Sequence, residues 1–239
     1  MTVPVFVVAI DGFTASGKGT LAAQIAAHYK FSFMDTGLLY RQVGQAVLAQ
    51  GGDPQDIATA VAVAHQFAQH YRPNQPEAAG LRDENVSQAA SQVAAIPGVR
   101  DCLLNLQRGF AAAPPPLPGL DPTGAVLDGR DIGTIICPHA DVKLFITASP
   151  EVRAERRLKQ LQSRGIAAMY DHVLQDLKIR DERDRQREVA PTMPAADALI
   201  LDTSTLSREE VLDRALTLID KKMAQSDRPG KHSRPSGEA

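Results

Sequence analysis

Four stretches of the chain are apolar at nearly every position, residues 5–10, 125–127, 142–147 and 198–201, and a weaker one covers 31–34. Runs without polar alternation suit strands covered on both faces, and between them apolar positions recur at helical spacing. That spacing predicts helices over 19–29, 38–50, 57–69, 87–95, 99–112, 150–164, 169–187 and 207–223. Strands alternating with helices imply an α/β protein with a parallel sheet and right-handed crossovers. Ser149 ahead of Pro150, and Ser207 with Glu210 three residues on, supply helix starts. Residues 71–80, with Pro73 and Pro76, and the proline-rich 114–119 show no period and read as loops.

Composition narrows the class. A chain of 239 residues, 44% hydrophobic and 23% charged, can bury a real core as one globular domain. Its net charge of -2 offers no general positive field, so no nucleic-acid partner is expected and any phosphate must be met locally. Cys102 and Cys137 lie far apart and form no CxxC, which points away from a zinc site or disulfide framework and towards a reducing, cytoplasmic setting. The first apolar run is too short to span a membrane and leads straight into Asp11 and Gly12, so no membrane segment is expected. Beyond about Met223 no large apolar side chain remains, which makes residues 224–239 an expected disordered tail behind a single domain of residues 1–223.

Chemistry enters directly after the first predicted strand. Gly12, Phe13, Thr14, Ala15, Ser16, Gly17, Lys18, Gly19 and Thr20 form a Gly-x4-Gly-Lys-Gly-Thr run that opens an amphipathic helix. In this order, backbone N–H groups and a helix N-terminus converge on phosphate oxygens while the lysine adds a point charge. The usual motif has Ser or Thr immediately after the lysine; Gly19 stands there instead, so Thr20 is expected to meet phosphate and not a metal ion. Arginines are the second theme. Arg180, Asp184 and Arg187 fall at i, i+4 and i+7 of one helix and share a face, as do Arg153, Arg156 and Arg157 at i, i+3 and i+4 of another. Taken alone, either set also fits a solvated, ion-paired surface. Arg41 follows the turn at Gly37, and Arg130 lies just past a strand ending at Asp128, both suited to a phosphate site at the carboxyl edge of the sheet.

The segments Asp35 to Arg41, Ala90 to Arg100, Asp128 to Gly133 and Arg180 to Arg187, followed by Ala190-Pro, Pro194-Ala-Ala-Asp-Ala and Leu201-Asp-Thr-Ser, resemble the bacterial cytidylate kinase family, in the same order, over about residues 3–222. The resemblance implies a P-loop fold with a five-stranded parallel sheet flanked by helices. It places the core at 1–35, 120–149 and 188–223, an acceptor-binding insertion at about 36–112 and a lid at about 150–170. It implies ATP with Mg²⁺ as donor, CMP and dCMP as acceptors, and a monomer. By resemblance Lys18, Arg130, Arg157 and Arg187 carry the transfer, and the loop from Gly12 to Thr20 binds ATP together with Arg156 and Arg157. Asp128, at a strand end, is a candidate for ordering the water shell of Mg²⁺, and equally for capping the loop that follows it. Arg41, Arg130 and Arg187 meet the CMP phosphate, Arg180 and Asp184 its ribose, and Ser91, Arg100 and Asp131 its base, with Thr36 where the family often has Ser. Ser91 has an alternative, bonding back to its own helical turn. The family's small antiparallel sheet before Leu81 has no counterpart in the short stretch 65–80. Two other readings stay open: a kinase for another small acceptor, and a nucleotide-binding protein without catalysis.

Overall fold

In the computed structural model, which describes residues 5–73 and 77–225, five strands form: β1 (Phe6–Gly12), β2 (Ser32–Asp35), β3 (Gly124–Asp128), β4 (Val142–Thr147) and β5 (Leu199–Asp202). All pair in parallel, in the order β2-β3-β1-β4-β5. Eight α-helices connect and cover them: α1 (Lys18–Tyr29), α2 (Thr36–Ala49), α3 (Ile57–His70), α4 (Glu84–Val93), α5 (Pro97–Ala112), α6 (Pro150–Gln162), α7 (Tyr170–Arg185) and α8 (Arg208–Gln225). The chain leaves β1 towards β2 on one side and leaves β3 towards β4 on the other. The crevice of this open sheet therefore lies at the carboxyl end of β1. Register brings the candidate residues there, since Asp128 pairs with Ile10 on one side and with Asp35 on the other.

Alternation along β1 explains the two cores. Val8 and Ile10 are fully buried among Leu21 and Ile25 of α1 and Ile219 of α8. Ala9, pointing the other way, packs with Leu39 and Val43 of α2 and Leu103 of α5. Burying each such aliphatic side chain contributes about 1.5–3 kcal/mol, so the sheet centre is the firmest part of the molecule. A third, small cluster, Ala154, Leu161, Val173 and Leu177, holds α6 against α7 as a hairpin of its own. Predicted caps are formed: the Ser149 hydroxyl accepts from the Val152 N–H at 3.3 Å, and Ser207 and Glu210 bond reciprocally at 3.2 and 2.8 Å.

Three expectations are corrected. β5 is an edge strand and not one covered on both faces: Leu199 and Ile200 are 41% and 56% exposed. α4 begins at Glu84, behind an N-cap at Asp83, because its polar first turn hides the helical period. α8 continues to Gln225, past the expected end of order at 223; the remainder of the predicted tail lies outside the described residues. Among the described residues no strand forms between β2 and β3, in keeping with the short insertion.

Candidate active site

β1 leaves the sheet at Gly12, whose φ of +145° and whose missing Cβ are both needed: a Cβ would fall 2.0 Å from the Ile146 carbonyl oxygen of β4. The loop then passes through Ala15 at φ +62°, a left-handed conformation unusual for a residue with a side chain. α1 opens at Lys18 with no side-chain cap, and Lys18, Gly19 and Thr20 line the cleft. Its first-turn N–H groups are thus free for an anion. Lys18 Nζ donates to the Phe13 carbonyl at 3.4 Å and lies 3.9 Å from Asp128 Oδ1. Burial pushes the Lys18 ammonium down and the Asp128 carboxyl up, so each charge lacks the solvation that a bound phosphate or cation would restore. Gly19 now has a reason: a Cβ there would sit 3.1 Å from Asp128 Oδ2, so the carboxylate occupies the side on which a Ser or Thr would stand. Thr14 to Thr20 line the cleft, but Gly12 and Phe13 do not. Phe13 is buried edge-on to Phe145, with the guanidinium carbons of Arg153 and Arg185 5.4 and 4.5 Å from its ring centre, and serves the loop through its carbonyl.

Arg180 and Asp184 share a face of α7 that turns inward; Arg187, expected on the same helical face, lies instead just past the end of α7 at Arg185, because the chain leaves the helix at Gln186, and with them it forms the far wall. Asp184 accepts from Arg130 Nε at 3.1 Å and from Arg187 Nη2. Burial alone would raise its pKa, but the Arg130, Arg187 and Arg180 guanidinium groups outweigh it and hold the carboxyl below its usual range. Arg130 Nη2 also donates to the Thr14 hydroxyl at 2.8 Å, so one side chain joins the glycine-rich loop to α7. Arg180 and Arg187 each keep a buried Nε–H without a hydrogen-bond partner, and burial lowers Arg180 to about 10. Buried donors left open in a cleft mark a place for anionic oxygens. Arg41 lines the same cleft but turns to α4, donating to the Leu81 carbonyl at 3.1 Å and the Ser87 hydroxyl at 2.6 Å. Thr36 donates its hydroxyl to the Asp128 carbonyl at 2.8 Å.

Between these ends Arg100 and Asp131 form a buried pair at 2.5 Å, with the Tyr40 ring centre 5.4 Å from the Arg100 guanidinium carbon. They set a donor group and an acceptor group side by side. Ser91 does not bond back to its own turn; it accepts from Arg183 Nη1 at 3.0 Å. Arg156 lies along the phosphate loop, donating to the Ser16 carbonyl at 3.3 Å and to Thr203 at 2.8 and 2.6 Å. Arg157 pairs with Glu84 and donates to Gln160 at 2.8 Å. The third member of that predicted stripe, Arg153, is a correction. It is 1% exposed and bidentate to Asp181, and it donates to the Thr14 and Ala148 carbonyls, so it is held in the interior where α7 covers it.

Sequence reasoning missed Asp11. Its buried carboxylate accepts from the Ile132 and Gly133 N–H groups at 2.7 and 2.8 Å and pins the start of a single π-helical turn, Ile132–Ile136. The segment carrying Arg130 and Asp131 is thereby fixed against β1. A charge closing an otherwise apolar run was the available signal. Burial, with Asp131 and Asp128 nearby, raises Asp11 from 3.8 to about 7.

The cleft, about 820 Å³, thus has a phosphate loop at one end and open guanidinium donors at the other. Fold and site define a P-loop protein of the kind that faces two phosphate-bearing ligands. A family model described as Cytidylate kinase matches residues 8–221, and the chain belongs to that family. A cytidylate kinase of Paramagnetospirillum magneticum (strain ATCC 700264 / AMB-1) is 52% identical over 216 residues, 90% of this chain and 98% of its own. One from Afipia carboxidovorans (strain ATCC 49405 / DSM 1227 / KCTC 32145 / OM5) is 50% identical over 221 residues, covering 91% of this chain and 99% of that one. A crystal structure of an uncharacterized protein from Eubacterium ventriosum ATCC 27560 superposes with a TM-score of 0.50 at 13% identity, covering 90% and 98% of the two chains, a likeness of fold alone.

Proposed function

We propose that this protein transfers the γ-phosphoryl group of ATP directly to CMP or dCMP, giving ADP and CDP or dCDP. The observation that carries this reading is Arg130, which touches the donor loop at Thr14 and the acceptor wall at Asp184 within one cleft. An oxygen of the CMP phosphate bonds to the γ-phosphorus as the β–γ bridging P–O bond breaks, its electron pair leaving on ADP. Such a transfer needs alignment and neutralised charge, and little covalent help from the protein. The N–H groups of the loop and of α1, with Lys18, hold the donor phosphates, and Arg156 and Arg157 approach them from α6. Arg41, Arg130 and Arg187 receive the acceptor phosphate, and Arg180 and Asp184 its ribose. Residues 36–112 act as the acceptor insertion and 150–170 as the lid. Guanidinium groups already oriented by Asp184 and Asp131 need little rearrangement as negative charge spreads.

Base choice follows from the Arg100–Asp131 pair and Ser91. Cytosine offers a donor at its 4-amino group, which Asp131 can accept, whereas uracil offers an acceptor there. Asp128 Oδ1, buried without a hydrogen-bond partner beside Lys18, suits the water shell of a Mg²⁺ ion brought by ATP. That ion would supply charge neutralisation between the β- and γ-phosphates. A cytoplasmic setting goes with this reading, in which Cys102 and Cys137 stay free thiols; separately, no helix among the described residues is long and apolar enough to cross a membrane. A monomer is the working assembly.

A coupled assay of ADP release over CMP, dCMP, UMP and AMP tests the reading. CMP and dCMP are expected to turn over far faster than the other two, and equal rates on all four would reject it. Arg187→Ala is expected to lower kcat/KM for CMP by about 10²–10³-fold, as for loss of an oriented charge-stabilising donor. Asp131→Asn is expected to erode the CMP-to-UMP ratio, and an unaltered ratio would remove Asp131 from the base site.

A further inference from the structure

Helix α4 presents one polar edge to which arginines come from several directions. Asp83, its N-cap, accepts from Arg164 at 2.9 Å, Glu84 pairs with Arg157 of α6, Ser87 accepts from Arg41 of α2 at 2.6 Å, and Ser91 accepts from Arg183 of α7 at 3.0 Å. Positions 84, 87 and 91 follow i, i+3 and i+7, so they form a single helical edge. Three of the four bonds run between the proposed acceptor insertion and the α6–α7 side of the cleft. Glu84 is unused in the chemistry above, yet its partner Arg157 is one of the arginines proposed to meet the donor phosphates. A guanidinium paired with a carboxylate has little net charge to offer a triphosphate. The exchange is also cheap. The Glu84 side chain is 44% exposed and regains water when released, and Arg157, 14% exposed, exchanges the carboxylate for phosphate oxygens in the same cleft.

We infer that Glu84 is a positioning residue: it parks Arg157 on the acceptor insertion while the acceptor site is empty and yields it to the donor phosphates when acceptor binding moves that insertion. The inference rests on the proposed role of Arg157. Its consequence is protection of ATP. In the wasteful reaction a water oxygen bonds to the γ-phosphorus, the β–γ bridging P–O bond breaks with its electron pair leaving on ADP, and the proton of the water passes to solvent. Holding Arg157 back denies that reaction part of its charge stabilisation until CMP has bound.

Glu84→Gln in the full chain tests this, with acceptor-free ATP hydrolysis and the KM for ATP in that acceptor-free reaction as readouts. Acceptor-free hydrolysis is expected to rise about two- to fivefold and its KM for ATP to fall by a similar factor, the scale of a half-exposed ion pair. At saturating CMP, where the parent has already released Arg157, kcat and the KM for ATP are expected to stay as in the parent. Asp83→Asn releases Arg164 only and is expected to behave as the parent protein. Unchanged hydrolysis and KM in Glu84→Gln would overturn the inference, and so would a lowered kcat on CMP. Arg157→Ala separates the two levels. If it leaves turnover of CMP untouched, the donor role of Arg157 fails and the inference falls with it; if turnover drops while Glu84→Gln matches the parent, the inference alone fails.

Discussion

Asp11 shows how far one buried carboxyl can reach. It accepts two backbone N–H groups and so aims the Arg130–Asp131 segment, but burial raises its pKa from 3.8 to about 7. An acid whose pKa rises on folding binds its proton more tightly in the native state. Between about pH 4 and pH 7 the native chain keeps a proton that the unfolded chain has lost, so the contribution of this group to stability falls as pH climbs through that window. The difference in Tm between the parent and Asp11→Asn is therefore expected to shrink from pH 4 to pH 7 and to level off above about pH 8. Thermal melts across that range check it, and a difference that stays flat or grows would contradict the pKa shift. The chemistry of Lys18 and the shared face of Arg180 and Asp184 could be read locally, because a loop motif and a helical face are properties of neighbouring residues, although α7 stops at Arg185, short of Arg187. The task of Asp11 could not, since its partners Ile132 and Gly133 lie more than a hundred residues away.

Among the elements, α6 and α7 are joined to each other by a buried ion pair, one member of which also reaches the phosphate loop. Arg153 and Asp181 bond at 3.0 and 2.5 Å, with side chains 2% and 4% exposed, and Arg153 also donates to the Thr14 carbonyl. Removing one partner strands the other charge away from water, at a cost of about 3–5 kcal/mol, whereas replacing both by apolar side chains is often close to neutral. Asp181→Ala is expected to lower the free energy of unfolding in urea by that amount, and Arg153→Met with Asp181→Leu to recover most of it. A loss below about 1 kcal/mol in the single variant would mean that the pair does not anchor the hairpin. The spacing of Arg153, Arg156 and Arg157 was legible; the side on which α7 would cover the first of them was not. Helical periodicity reports which residues share a face but not what that face will meet. The same limit applied to β5, whose apolar run suited a covered strand although its place at the sheet edge leaves Leu199 and Ile200 exposed.

Across the whole molecule, apolar burial is unevenly shared. Two large clusters clasp the sheet, while the hairpin has only its own small one and meets α4 through Arg157, Arg164 and Arg183. Polar contacts of this kind are weak and exchangeable, so the hairpin should open without unfolding the sheet. Strand order was not readable from periodicity; the position of the glycine-rich loop marked the first strand, and the apolar runs and the resemblance agreed on five. Unequal strength of contact, which no sequence pattern displays, sets the order in which the elements open. In hydrogen exchange read by mass spectrometry, amides of α6 and α7 are expected to exchange well ahead of those in β1, β3 and β4, through opening that spares the sheet. Under the proposed assignment, CMP together with a non-hydrolysable ATP analogue would give Arg156, Arg157, Arg180 and Arg187 phosphate and ribose oxygens to hold from both sides of the cleft. Exchange in α6 and α7 is then expected to slow by a much larger factor than exchange in the strands, whereas equal slowing everywhere would mean that the hairpin and the sheet open as one unit.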